Sequence, residues 1–188
     1  MTTFDHYEPV ALRTPAFALE PLRATHAAEM FEALSDPKHY AFIPQDPPAS
    51  LEVLRARFER LEGRRSPNGR ELWLNWAIRA ESGAAAGLVQ ATGYPDDRAA
   101  IAYELFTAFQ GRGLATSAIR TMLVHLRDQA KLTAASALVD TRNQKSIRLL
   151  ERLGFSRTRF IKDAASFKGA TSDEYEYALD LAALGLGA

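Results

Sequence analysis

The 188-residue sequence has no cysteine. This absence excludes a disulfide scaffold, a cysteine zinc site, an iron–sulfur cluster and a thiol nucleophile. The sequence also has no net charge, because 23 lysines and arginines balance 23 aspartates and glutamates, and a balanced chain has no general affinity for polyanions. No stretch approaches the ~20 consecutive apolar residues of a membrane span, and residues 1–14 lack the apolar run of a signal peptide. We therefore expect a cytoplasmic protein that binds neither nucleic acid nor membranes.

The length predicts one domain with one core, spanning residues 1–188, in which residues 1–15 form an N-terminal extension. A chain of this size buries roughly 70% of the surface that it exposes when unfolded. Its core therefore needs neither disulfides nor a metal ion for stability, and we predict no metal site.

Hydrophobic periodicity predicts the element order βααβββαβαββ, an α/β fold with helices on the faces of a mixed sheet. Strands are predicted at residues 16–22, 72–79, 84–90, 99–106, 132–140, 155–160 and 173–181, the second to fourth of them as an antiparallel meander. Two helices are predicted to follow caps at Thr25 and Ser50, and two more to span residues 112–129 and 144–153. The residues expected on the buried faces of the first two helices are Ala28, Met30, Phe31, Leu34, Val53, Leu54, Phe58 and Leu61, with Arg57 outward.

Residues 106–116, with the sequence FTAFQGRGLAT, join a predicted strand to a predicted helix. The glycines at 111 and 113 leave backbone N–H groups free to face an anion, and the positive end of the helix favours a phosphate. A tight turn without a ligand is the alternative. A Walker loop is excluded because Leu114 follows Gly113, and a Rossmann fingerprint is excluded because Thr116 stands where a third glycine or alanine is needed.

Positive charge is concentrated between residues 142 and 168, where the sequence has eight lysines and arginines and only two acidic residues. Such a local excess suits a small anionic ligand. A solvated helix face with ordinary loop lysines explains it equally well.

Two motifs resemble the GNAT acyltransferases, and more narrowly their branch of ribosomal-protein N-terminal acetyltransferases. The first is the pattern Gln/Arg-x-x-Gly-x-Gly/Ala, which is met by Gln110, Gly113 and Ala115. The second is an asparagine after a strand, followed by a short helix that ends in Gly-Phe, here Asn143 to Phe155. The segment LEPLRATHAAEMFEALSDPK at residues 19–38 also resembles that branch. The resemblance extends from about residue 16 to residue 181.

The resemblance implies a GNAT fold with a mostly antiparallel sheet, in which a splayed pair of parallel strands holds acetyl-CoA. The backbone of Leu105 and Phe106 would then pair with the pantetheine arm, and Asn143 would bond its amides. The pyrophosphate would lie on the loop formed by Gln110, Gly111, Arg112, Gly113, Leu114, Ala115 and Thr116. The basic segment after Arg142 would meet the nucleotide phosphates. No metal is implied.

Catalysis in this family is direct attack of an amine on the thioester, and an ammonium group must first lose a proton. Glu104, on the strand before the loop, is the candidate base, although a carboxylate paired across the sheet would look the same. The tyrosine that commonly protonates the leaving thiolate is replaced by Leu150, and Ser146 occupies the place of a serine found in the resembling branch. The alternative for Ser146 is a helix residue that bonds only backbone.

The acceptor is predicted to be a primary amine, with a protein N-terminal α-amino group as one candidate. A small amine, polyamine or antibiotic is the alternative, as is a non-catalytic acyl-CoA-binding domain. The acceptor pocket is expected at the loops of residues 35–50 and 160–173, with His39 and Tyr40 as lining candidates.

His125 is expected to be solvated or capping, and the residues expected in the core and sheet packing are Trp73, Trp76, Tyr175 and Tyr177. The branch resemblance is compatible with a homodimer.

Overall fold

The computed structural model describes residues 7–185, which form eight strands and four α-helices. The strands are β1 (Leu12–Arg13), β2 (Phe17–Pro21), β3 (Leu72–Ala80), β4 (Ala85–Gly93), β5 (Arg98–Leu105), β6 (Ala134–Asp140), β7 (Ser156–Phe167) and β8 (Ala170–Asp180). The helices are α1 (Ala27–Leu34), α2 (Leu51–Glu62), α3 (Leu114–Asp128) and α4 (Gln144–Arg152). Short 3₁₀ turns occupy Ala24–His26, Pro37–Tyr40, Thr107–Phe109 and Leu181–Ala183. Residues 1–6 of the predicted N-terminal extension lie outside the described part of the chain.

All eight strands belong to one sheet, in the order β1-β2-β3-β4-β5-β6-β8-β7. Neighbouring strands are antiparallel except for β5 and β6, which run parallel. The predicted mixed, mostly antiparallel α/β fold is therefore confirmed, including the meander of β3, β4 and β5. The short strand β1 adds to the predicted order.

Helices pack on both faces of this sheet. Period-two alternation in β3 places Leu74 and Trp76 in the larger core cluster, together with Ile119 of α3 and Leu150 of α4. Alternate residues such as Ala77 face the smaller cluster formed with α1 and α2. Side chains of consecutive residues in one strand consequently meet different helices, and this decides what surrounds each residue of β5.

Three details of the predicted helices are corrected by the structure. Thr25 is not an N-cap but lies within a 3₁₀ turn, so α1 starts at Ala27, which is buried in place of Ala28. Ser50 caps α2 as predicted, because its side chain accepts a hydrogen bond from the Val53 N–H. Val53 itself is 53% exposed, because the buried face of α2 consists of Leu51, Leu54, Phe58 and Leu61 at helical spacing and does not include position 53.

The segment predicted as a loop at residues 160–173 is instead a long hairpin. Strand β7 continues to Phe167, and β8 begins at Ala170 after a two-residue turn. The pairing register shifts twice, between Arg157 and Arg159 and between Ile161 and Ala165. These bulges, together with exposure of most of β7, remove the alternating pattern from which a strand is predicted.

The expected solvated role of His125 is also corrected. Its ring is half-buried and lies edge-on to Trp76, with ring centroids 6.0 Å apart, and its Nε2 contacts the Tyr7 hydroxyl. Trp76 and Tyr177 are buried in the core as predicted, while Trp73 and Tyr175 are partly buried.

Within residues 7–185 no helix is long and apolar enough to cross a membrane, and no three His, Asp or Glu side chains form a group that could hold a metal ion.

Candidate active site

The parallel strands β5 and β6 separate at the centre of the sheet. They pair only over residues 98–100 and 134–136, whereas β5 continues to Leu105 and β6 to Asp140. Beyond Ala100, β5 stays paired with β4, and β6 stays paired with β8. The unpaired ends therefore leave a gap between them, which is the splay that the family resemblance implied.

A single glycine in β4 sets the position of β5 at this gap. A Cβ atom on Gly87 would lie 2.1 Å from the carbonyl oxygen of Glu104, so no other residue fits without moving β5. Strand β4 also has its bulge next to Gly87, opposite Ile78 and Arg79. Bulges of this kind commonly re-aim a strand beside a functional site.

The predicted anion loop, residues 110–116, lies where β5 leads into α3. Gly113 is the N-cap of α3 and has φ of 78°, in the left-handed region that favours glycine. No side chain caps this end of the helix, and nothing lies within 4 Å of a Cβ built on Gly111 or Gly113. The first N–H groups of the 15-residue helix therefore lack intrahelical partners, and the two glycines leave the loop before them uncrowded.

The first residue of the loop, Gln110, connects it to β5 and to α4. The Gln110 side chain donates to the Leu105 carbonyl at 2.9 Å, and Lys145 of α4 lies 3.4 Å from the Gln110 side-chain oxygen. Arg112 is exposed on the loop. Of the basic segment, Lys145 is thus close to the predicted phosphate site.

Other members of the basic segment are paired elsewhere in the structure. The Arg157 guanidinium stacks on the Tyr175 ring, 4.5 Å from its centroid, and Arg159 lies 3.4 Å from Glu176. Both arginines belong to β7, the outermost strand of the sheet. Their charge is therefore explained by packing on the hairpin.

Phe106 is placed differently from Leu105. Its N–H donates to the Ala86 carbonyl at 2.8 Å, its carbonyl accepts from the Phe109 N–H, and its side chain is buried. Of the two residues predicted to pair with a pantetheine arm, Leu105 is the one whose carbonyl accepts from a side chain, that of Gln110. A side-chain donor is displaced by a ligand more easily than a backbone N–H.

The first turn of α4 lies across the gap from β5. Asn143 is its N-cap, and the Asn143 side-chain oxygen accepts from the Ser146 N–H at 3.2 Å. The Ser146 carbonyl accepts from the Tyr103 hydroxyl of β5 at 3.4 Å. Burial raises the pKa of Tyr103 to about 12, so this phenol keeps its proton at neutral pH.

Asp140 anchors the turn between β6 and α4. Its carboxylate accepts from the Arg142 N–H at 2.8 Å and from the Ser172 hydroxyl at 2.6 Å. The Arg142 side chain also bonds it and lowers the pKa of Asp140 to about 2. Asp140 therefore stays ionised and holds the turn that leads into α4. Asn143 is the N-cap of this helix, and Ser146 lies in its first turn.

Glu104 faces the opposite side of the sheet from Tyr103. Its Oε1 is buried and has no hydrogen-bond partner among the described residues, although the Nδ1 atom of His39 lies 3.5 Å away. Burial raises the pKa of Glu104 to about 7, against the weaker opposite effect of Arg57 on α2. Burial also lowers the pKa of His39, so the neighbouring imidazole is mostly neutral at pH 7.

The segment that carries His39 packs beside this carboxylate and is itself held from two sides. His39 lies edge-on to the Phe106 ring at 6.0 Å, and the Tyr40 hydroxyl donates to the Leu34 carbonyl at 2.9 Å. At the tip of the β7–β8 hairpin, the Lys168 ammonium donates to the carbonyls of Tyr40, Ile43 and Gln45. The hairpin is thereby fixed to the loop that carries His39.

Sequence reasoning thus indicated Glu104, His39 and Tyr40 separately, and the structure brings them together. It missed the residues that reach the site from other elements, namely Arg57, Gly87, Tyr103, Asp140 and Lys168. The one local signal was Gly87, because an isolated glycine in a strand often marks a close approach of backbones.

Comparison with known proteins gives consistent results. A sequence model of the family described as "Acetyltransferase (GNAT) domain" matches residues 17–156. A Bacillus licheniformis protein named as the uncharacterized N-acetyltransferase p20 is 30% identical over 82 residues, and the match covers 44% of this chain and 46% of that protein. The chain thus spans less than half of that relative's length.

Solved structures share the whole fold. A proposed acetyltransferase from T. thermophilus matches this chain with a TM-score of 0.77 and 27% sequence identity. The match covers 94% of this chain and 92% of the T. thermophilus chain. A ribosomal L7/L12 α-N-protein acetyltransferase in complex with coenzyme A has a TM-score of 0.78 and 19% identity, covering 92% of this chain and 96% of its own. An identity as low as the second value shows similarity of fold alone.

Proposed function

The chain belongs to the GNAT acetyltransferase family, and from this membership we propose that it transfers the acetyl group of acetyl-CoA to a protein N-terminal α-amino group. The observation that carries the proposal is Glu104, a buried carboxyl group with a pKa of about 7 beside the gap between β5 and β6. A general base is most effective when its pKa lies near the working pH.

The gap and the anion loop fit an acyl-CoA donor, which supplies the acetyl group as a thioester. The loop offers unpartnered N–H groups at the start of α3 for the pyrophosphate, and Lys145 adds a positive charge nearby. On the facing helix, the Asn143 side-chain oxygen already caps α4. Its N–H₂ group is the part that remains to bind an amide carbonyl of the pantetheine arm.

Glu104 would take the proton that the acceptor ammonium must lose. At pH 7 about half of a group with this pKa is ionised, so both the base and its conjugate acid are populated. Neutral His39 at 3.5 Å is positioned to hydrogen-bond the carboxyl group or a water molecule beside it. Arg57 keeps the ionised form accessible despite burial.

Ser146 and Tyr103 would serve the leaving thiol on the other side of the sheet. A thiol has a pKa of about 8.5, so its departure needs only a hydrogen bond and not a strong acid. Ser146 lies in the first turn of the nine-residue α4, where the helix dipole favours negative charge. Tyr103 holds that turn through the Ser146 carbonyl and carries a proton at neutral pH.

An acceptor panel tests the proposal. Full-length protein is mixed with acetyl-CoA and either an N-terminal peptide, a polyamine or an aminoglycoside, and thiol release is measured. We expect release with the peptide, and its loss in Glu104→Gln. Thiol release only with a small amine would show that the acceptor is a small molecule and not a protein N-terminus. Tight acetyl-CoA binding without any thiol release would indicate a non-catalytic binding domain.

A further inference from the structure

A groove opens on the α1–α2 face of the sheet, next to Glu104. It has a volume of about 200 Å³ and lies over β3, β4 and β5, beside the last turn of α2. Its walls are formed by Leu61, Trp73, Asn75, Gln90, Thr92, Ala100, Ile101 and Ala102. We call it the amide groove, because two side-chain amides lie in its floor.

Asn75 is a buried polar side chain with an unused donor. The residue is 7% exposed, and its Nδ2 has no hydrogen-bond partner in the described part of the chain. Its Oδ1 accepts from the Gln90 side chain at 2.7 Å. One hydrogen bond between two amides leaves N–H donors unused whichever way each amide is turned. A buried donor without a partner is costly, so this pair is suited to bind a ligand that supplies a carbonyl.

Along β5, the groove ends two residues from Glu104. Ala102 lies two residues before Glu104 on the same face of the strand, at ~7 Å by strand geometry, and it is exposed. Gln90 is opposite Ala102 in the sheet, and Asn75 is opposite Gln90. An extended peptide advances ~3.3 Å per residue, so a peptide whose amine lies at Glu104 reaches both amides with its second to fourth residues.

The chemistry of the lining favours a peptide over the other acceptors. None of the eight lining residues is charged. A polyamine or an aminoglycoside carries several ammonium groups, and burying them requires carboxylates. A peptide main chain is neutral and presents carbonyl and N–H groups at regular intervals. The alanines at 100 and 102 leave room for such a chain, and Trp73 provides an apolar wall.

We propose that the amide groove binds the first residues of a peptide acceptor in extended form, with Asn75 and Gln90 hydrogen-bonded to its main chain. This inference rests on the proposed function, because it assumes that the acceptor amine is delivered to Glu104. It adds a subsite that selects peptides by their backbone and not by their charge.

The two tryptophans allow a direct binding test. Trp73 lines the groove and donates its indole N–H to Glu71 at 2.9 Å, whereas Trp76 lies on the other face and donates to the Val10 carbonyl. ¹⁵N-labelled full-length protein with unreactive coenzyme A is titrated with a pentapeptide amide and, separately, with spermidine. We expect the pentapeptide to shift the Trp73 indole signal and leave that of Trp76 unchanged. An unshifted Trp73 signal, or an equal shift with spermidine, would overturn the proposal.

A kinetic test uses an exposed alanine. Ala102→Leu fills the groove, and Ala28→Leu is the matched control at an exposed alanine of α1. We expect Ala102→Leu to raise the KM of the pentapeptide at least tenfold while leaving the KM of a single amino-acid amide unchanged. Gln90→Met, which removes one amide at similar size, should act in the same direction.

The two proposals fail in different ways. If peptides are acetylated and Ala102→Leu matches wild type at every acceptor length, the groove proposal is wrong and the proposed function stands. If no amine is acetylated, the proposed function is wrong, and the Trp73 signal still decides whether the groove binds peptide.

Discussion

Replacing Glu104 with glutamine is expected to lower activity and raise stability in the same protein. The Glu104 side chain is 21% exposed, and burial raises its pKa from 4.5 to about 7. The folded state therefore favours the protonated form, whereas the unfolded chain ionises near pH 4.5. The contribution of Glu104 to the free energy of unfolding is therefore fully present below pH 4.5 and is lost as the pH rises through 7.

The size of the loss follows from the two pKa values. One pKa unit corresponds to about 1.4 kcal/mol, so wild-type protein loses about 3 kcal/mol between pH 4.5 and pH 8 through Glu104 alone. Glutamine does not ionise and escapes this loss. The difference in unfolding free energy, Glu104→Gln minus wild type, should therefore rise by about 3 kcal/mol across that range and level off above pH 7.

Urea unfolding at several pH values between 4.5 and 8.5 measures this difference. Glu59→Gln is the matched control, because Glu59 is an exposed carboxylate on α2 and its replacement releases no buried charge. Other titrating groups are common to both proteins and cancel. A difference between Glu104→Gln and wild type that stays flat with pH would refute the buried, weakly acidic carboxyl group on which the mechanism depends.

Activity should change in the opposite direction. Loss of a general base typically costs 10²-fold or more in rate, and we expect that loss for Glu104→Gln near pH 7. The deficit should shrink at high pH, where the amine arrives already deprotonated. An equal deficit at every pH would assign Glu104 a packing or binding role.

Three further predictions concern the donor site. Gly113→Val, with a β-branched residue at φ of 78°, should weaken acetyl-CoA binding at least tenfold by calorimetry, while Gly83→Val, at a comparable φ of 84° in the β3–β4 turn, should not. Asn143→Ala should raise the KM for acetyl-CoA and cost about 1 kcal/mol of stability, because the helix cap is lost. Asn143→Asp should raise the KM while keeping the cap. An unchanged KM in both variants would show that Asn143 is not part of the acetyl-CoA site. Ser146→Ala should lower the single-turnover rate by ten- to a few hundred-fold, the effect of one hydrogen bond worth ~1.4–3 kcal/mol; weaker acetyl-CoA binding at an unchanged rate would make Ser146 a donor contact instead.

Most of the fold could be predicted because its signals are local. Strand β3 shows clean alternation, and the Ser50 cap is read from one residue and the helix that follows. The β7–β8 hairpin could not be predicted in this way. Strand β7 is exposed over most of its length, and its pairing with β8 is interrupted by two register shifts, so no apolar period marks it.

The candidate site was most predictable where its residues belong to continuous motifs. Gln110, Gly113 and Asn143 stand at fixed positions in two such motifs. Arg57 was expected to face solvent, yet it is half-buried and its charge acts on Glu104 of β5. A pattern along one helix contains no information about which strand that helix covers.

Lys168 shows the same limit more strongly. It is separated by more than one hundred residues from Tyr40 and Ile43, whose carbonyls it binds. Only the length of the β7–β8 hairpin places it there, and the sequence predicted a loop at that point. The hairpin is the part next to the proposed acceptor site that the sequence did not predict.

The central claim is tested most directly by locating the acetyl group on a peptide. Full-length protein is incubated with acetyl-CoA and a pentapeptide that contains one lysine, and a second peptide with a blocked N-terminus serves as control. Fragmentation by mass spectrometry then assigns the modified nitrogen. We predict acetylation at the α-amino group of the free peptide, no modification of the blocked peptide, and loss of the product in Glu104→Gln at neutral pH. Acetylation of the lysine side chain in both peptides, or an unchanged yield in Glu104→Gln, would contradict the account.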